Sequence, residues 1–122
     1  MIGKAYVSVF QYYDNKTHKM AFKKRPVLIV GKSDSADYVI LPISRITNKQ
    51  HLDSYYDVEI KKQEFPLMNL NADSYIRTHK QSVIHDGELT QYIVDFKSEY
   101  NDTYKNVIER MKEFQDSIIK NA

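Results

Sequence analysis

Apolar and polar positions fall in short blocks of strand length until a helical period takes over near the C-terminus. KAYVSVFQYY, residues 4–13, is dominated by β-branched and aromatic residues and predicts a first strand of about ten residues. DNKTHKMAFKK follows, with turn chemistry at Asp14-Asn15 and then a basic, weakly patterned stretch that predicts a loop. PVLIV is a continuous apolar strand with Pro26 at its first position, where a missing N–H does least harm. GKSDSAD reads as a turn and DYVILPI as a third strand. YYDVEI alternates, with Tyr56, Val58 and Ile60 on one face and Tyr55, Asp57 and Glu59 on the other, which predicts a strand with one wet side. LNADSYIR carries a weaker strand pattern and Asp86-Gly87 marks a tight turn. QYIVDF fits either a short last strand or the start of a helix.

From Ser98 onward, Tyr100, Tyr104, Val107, Ile108, Met111, Gln115 and Ile118 recur every three or four residues, leaving Phe114 beside the stripe. That spacing predicts an amphipathic helix over about 99–119, with Asn101 or Asp102 placed to cap it. Its expected job is to pack over an open end of the sheet. Five or six short strands followed by one helix predict a mainly β fold, a small, strongly curved sheet or barrel over about 3–96, in one domain spanning residues 1–122.

Composition narrows the chemistry. The absence of cysteine removes disulfides, thiolate nucleophiles and cysteine-ligated zinc together. No apolar run approaches the ~20 residues of a membrane span, and MIGKAYVSVF has no clear signal-peptide core with a cleavage site. The expectation is a cytoplasmic protein without a membrane partner. The net charge of +2 hides an asymmetry: residues 1–80 hold 13 Lys and Arg against 8 Asp and Glu, a balance of +5. Its sharpest part is residues 16–25, where Lys16, Lys19, Lys23, Lys24 and Arg25 meet no acid. Such a patch attracts phosphates, with a solvated loop as the competing account.

Several familiar sites are missing. Three glycines form no phosphate-cradling loop, and no serine sits in a G-x-S-x-G elbow. His18, His51, His79 and His85 are scattered and lack the i, i+4 spacing of a helical metal pair, so neither a metal nor a cofactor is expected. Asp57 and Glu59 form an acid pair that solvation on the polar face of a strand explains. What remains is Arg25 at a strand entrance and Ser44-Arg45 after Pro42, which interrupts ladder hydrogen bonding. If the second and third strands are neighbours, Arg25 and Ser44 face each other near the same end. A guanidinium and a hydroxyl there suit a phosphodiester, and an arginine capping a strand carbonyl beside a turn serine is the alternative.

At these residues the chain resembles the MazF/PemK family of toxin endoribonucleases. The family's Arg-Pro before an apolar run is matched by Arg25-Pro26-Val27-Leu28-Ile29-Val30, and its Pro-Ile-Thr by Pro42-Ile43-Ser44. Ala72-Asp73-Ser74-Tyr75-Ile76-Arg77-Thr78 looks like its Asp-x-Ile-Arg-Thr-like element, and a C-terminal helix completes the order. The likeness runs from about residue 3 to the final helix. Two departures stand out: the opening Gly-Asp-Ile/Val is reduced to Gly3-Lys4-Ala5, and serine at 44 lacks the methyl that restrains χ1.

The resemblance implies a small SH3-like, CcdB/MazF-type barrel that dimerises and cuts single-stranded RNA without a metal. In that family the 2′-hydroxyl attacks the adjacent phosphorus, leaving 2′,3′-cyclic phosphate and 5′-hydroxyl ends. It implies phosphate stabilisation, with proton transfer as a second role, for Arg25, and hydrogen bonding at the scissile phosphate for Ser44. An unperturbed guanidinium pKa of ~12.5–13.8 makes an arginine base awkward, so positioning and charge carry the expectation. Lys16, His18, Lys19, Phe22, Lys23, Lys24, Arg45, Arg77 and Thr78 are the further RNA-binding candidates, with Tyr12 and Tyr13 as stacking residues. A small antitoxin with a flexible, acidic tail is the implied protein partner. Two other classes stay open: a non-catalytic gyrase inhibitor of the CcdB kind, and a barrel that binds nucleic acid without cutting it.

Overall fold

The computed structural model describes residues 1–122. It is mainly β: seven strands form one curled antiparallel sheet, a half-barrel, and a helix follows at the C-terminal end. The strands are β1 (Lys4–Asp14), β2 (Lys19–Asp34), β3 (Asp37–Ser44), β4 (Asp57–Ile60), β5 (Ser74–Arg77), β6 (Ser82–His85) and β7 (Leu89–Asp95). Their order across the sheet is β4-β5-β3-β2-β1-β7. The outer edge of β3 is divided: Asp37–Ile40 pair with β6, while Ile43 and Ser44 pair with β5. Pro42 stands where the partner changes, so the residue without an N–H sits where no continuous ladder needs one.

Strand alternation explains why PVLIV is apolar throughout. Leu28 and Leu41 point into the main core with Ala5, Ile43, Ile60, Ile76 and Phe96. Val27, Ile29 and Ile40 point to the other face and form a second cluster with Ile84. Both faces of the central strands are therefore covered, which is the setting for a continuous apolar run. Register shifts at Val30, between β2 and β3, and within the β1–β7 pairing curl the sheet.

The helical region starts with α1 (Phe96–Glu99) and continues as α2 (Asn101–Asn121). Neither Asn101 nor Asp102 caps α2, because the chain passes from α1 to α2 through Tyr100 alone. Asp95 caps α1 instead, accepting from the Ser98 amide, and Asn101 donates its side-chain amide to the Lys97 carbonyl. Tyr104 and Val107 of the expected stripe are buried in the main core. Phe114, set beside that stripe, packs on Tyr56 and His79, whereas Ile118 is exposed. The helix thus bends its contacts toward the segment before β4. Gly3 fixes the other end: its amide donates to the Ile29 carbonyl and its carbonyl accepts from Lys97. Its φ of +89° and the closeness of the Lys97 side chain leave no room for a larger residue.

Three sequence expectations change. The loop expected over residues 14–24 is largely strand: β1 and β2 stay paired out to Asp14↔Lys19, so only residues 15–18 turn. Asp14 accepts from the Lys16 amide and His18 takes φ +56°, which closes the turn tightly. β7 reaches only to Ser8 and β3 only to Val27, so residues 9–24 form a two-stranded arm beyond the sheet. β6 appears in a segment without a predicted strand. Asp57, expected on a wet face, is buried.

Candidate functional site

The β2–β3 register decides the centre of the site. Val27 opposes Pro42, and two residues further out the same register sets Arg25 against Ser44. There the Arg25 Nη1 donates to the Ser44 Oγ at 3.3 Å. Both side chains are half-buried, held by strands whose inner residues are locked in the cores. Arg25 has no acidic partner.

They open onto a cleft of ≈ 600 Å³. Lys23, Lys24, Arg25 and Arg45 line it and no Asp or Glu does. Unneutralised cations in a concave, partly desolvated site favour an anion, and a fork-shaped guanidinium beside a hydroxyl offers a phosphate oxygen several donors. The segment 67–72 and residues Gln91 and Tyr92 of β7 line the same cleft. No cluster of three or more His, Asp or Glu side chains is arranged to hold a metal ion.

The remaining candidates separate into two groups. Lys16, His18 and Lys19 sit at the tip of the arm, six residues or more from Arg25, or about 20 Å along the strand. Tyr12, Tyr13 and Phe22 stand along it, with Phe22 70% exposed and the Lys23 ammonium over the Tyr12 ring. An antiparallel ribbon this short is marginal alone in water, and its aromatics at Tyr12, Tyr13 and Phe22 stand exposed.

Arg77 and Thr78 do not join the cleft. Arg77 Nε donates to Asp57 Oδ1 at 3.0 Å and its Nη2 to the His51 carbonyl at 2.9 Å. Thr78 is fully buried and its hydroxyl donates to the Tyr56 carbonyl at 2.7 Å. Both hold the segment before β4 against β5, a structural role set apart from the cleft that Arg25 lines.

Reasoning from sequence also missed the wall formed by Asn69, Asn71 and Gln91. Its only sequence signal is the turn chemistry of Pro66 and Asn69, the latter at φ +53°. No protein-family model and no curated protein matches this chain.

Away from the cleft, Asp57 anchors a polar cluster under the helix. Its carboxylate accepts from Arg77 and from the Asp53 amide at 2.8 Å. The Asp53 carboxyl is in turn held below its ordinary range by the Tyr56 and Tyr55 amides. His79 lies beside Asp57 and packs on the Tyr56–Phe114 pair, its Nδ1 buried and without a hydrogen bond, 3.8 Å from Asp57 Oδ1. Burial pushes the His79 pKa below 6.5, outweighing the attraction of Asp57, while Arg77 and Lys80 add to the push and Asp53 opposes it. The unfolded chain therefore takes up a proton on this residue before the folded one does. Stability from this group is complete above pH 6.5 and is lost as the pH falls below it. Thermal melts between pH 8 and pH 5 should show a falling Tm that flattens in His79→Phe; an identical slope in the two proteins would remove His79 as the cause.

Proposed function

We propose that this protein is a metal-independent endoribonuclease of the MazF/PemK toxin type, built on an SH3-like barrel of which the curled sheet is the frame. The observation that carries the reading is the Arg25–Ser44 pair in a cleft lined by four cations and no acid. In a bound strand of RNA, Lys23, Lys24 and Arg45 hold flanking phosphates and Arg25 faces the scissile one. The 2′-oxygen forms its bond to phosphorus as the bond to the 5′-oxygen breaks. The 2′-hydroxyl proton is released and the departing oxygen takes one up, giving a 2′,3′-cyclic phosphate and a 5′-hydroxyl. Negative charge gathers on the non-bridging oxygens, where Arg25 and Ser44 donate. A guanidinium keeps its charge across the working range, so positioning and charge stabilisation are its contribution.

The exposed aromatic and basic arm supports stacking of bases beyond the cleft, and its charge suits an acidic antitoxin segment. Homodimerisation and a cytoplasmic site of action complete the proposal. Incubation of the purified protein with a long single-stranded RNA in EDTA tests it. The expected result is discrete cuts bearing 5′-hydroxyl and 2′,3′-cyclic phosphate ends. Uncut RNA, from folded protein free of any partner, would favour a barrel that binds without cleaving.

A further inference from the structure

The cleft is chemically mixed. Along its lining the chain runs Met68, Asn69, Leu70, Asn71, with Met68 and Leu70 buried in the main core and Asn69 and Asn71 exposed. Both asparagines line the same cleft as Arg25 and Ser44, Asn69 at its border with a second, shallower one beside Pro66 and Asp73. The segment is fixed from below: the Leu67 amide donates to the Tyr100 hydroxyl at 3.0 Å and the Asn69 amide closes back on Pro66. Neither carboxamide is tied up in a hydrogen bond within the protein, and neither is that of Gln91 on the adjoining strand. Leu67 and Tyr92, each about half exposed, supply apolar surface on the same side.

We propose that this wall is the base-reading half of the site, and that Asn69 and Asn71 select the nucleobase next to the scissile phosphate. The inference rests on the ribonuclease reading given above. A phosphate belongs with the cations, and a base joined to it reaches the uncharged part of the same lining, where Asn69, Asn71 and Gln91 offer amides. A carboxamide carries both a donor and an acceptor, the combination that the edge of an unpaired base requires. Leu67 and Tyr92 cover the faces of the base that the amides do not touch. A cleft of ≈ 600 Å³ falls within the range of small-ligand sites, so selection concerns the bases at the cut and not a long sequence.

The test uses Asn69→Gly with Asn71→Ala. Glycine accepts the left-handed backbone of Asn69, so the variant removes amides without straining the turn. Binding is measured with deoxyadenosine, deoxycytidine and deoxyuridine tetranucleotides, which lack the 2′-hydroxyl and are not cut; cut sites are mapped on a long RNA in parallel. The wild type should prefer one base over the others by roughly tenfold, and the variant should bind all three alike with its Tm unchanged. Where RNA is cut, the variant should lose base preference at one position beside the cut while still cutting. Equal binding of all three by the wild type, or an unchanged preference in the folded variant, would overturn the proposal. Base-selective binding without any RNA cleavage would support the amide wall while sinking the ribonuclease reading.

Discussion

Arg25→Ala is expected to lower RNA cleavage by at least about 100-fold, the scale of losing one donor aimed at developing charge. The loss should appear in kcat more than in KM, because on the proposed reading Lys23, Lys24 and Arg45, which line the same cleft, would still hold the flanking phosphates. Arg25→Lys keeps the charge but not the two-pronged fork, so it should recover only part of the rate. Ser44→Ala removes the hydroxyl that Arg25 meets at 3.3 Å and should cost less than the loss of the guanidinium. Stability should hardly change in Arg25→Ala, since this half-buried side chain has no ion pair to break. End-labelled RNA cleavage beside thermal melts separates these effects. Cleavage that persists at the wild-type rate in folded Arg25→Ala would place the chemistry elsewhere or expose a contaminant.

The Arg25–Ser44 meeting was legible because it depends only on local rules. Two apolar strands joined by a short turn become antiparallel neighbours, and their register brings their outer ends together. The main strands and the helix were legible for the same reason: period is a local property, and burial follows it. The arm was hidden because residues 19–24 read Lys-Met-Ala-Phe-Lys-Lys, with no alternation of apolar and polar positions, and solvated lysine does not reveal whether its backbone is paired. β6 was hidden because only Ile84 of its four residues is buried, which leaves no alternation to read. Asp57 shows a different limit. Alternation assigns a residue to a face but does not say what will cover that face, and here Phe114, over 50 positions away in the chain, helps cover the cluster around it. The amide wall lay beyond pattern reading altogether, because its residues converge with Arg25 only when the sheet curls.

That same long-range cover makes Arg77 the residue with the largest expected structural effect. The family pattern offered it as an RNA contact, yet its guanidinium spans the buried Asp57 carboxylate and the His51 carbonyl. Asp57 has a side-chain exposure of 0%, so removing its partner strands a charge away from water. Arg77→Ala should therefore cost about 3–5 kcal/mol, as breaking one side of a buried pair does. For a domain of this size that is a fall in Tm of roughly 10–25 °C. The double change Asp57→Asn with Arg77→Met should cost less than the two single changes together, because it removes the stranded charge along with the cation. A surface arginine that touched only RNA would behave in the opposite way, with an unchanged melt and weaker RNA binding. Melts of the three variants, with RNA affinity measured at a temperature where each is folded, distinguish the two. An unaltered Tm in Arg77→Ala would mean that the Asp57 carboxylate finds its compensation elsewhere, from the Asp53 amide and a newly protonated His79 at 3.8 Å.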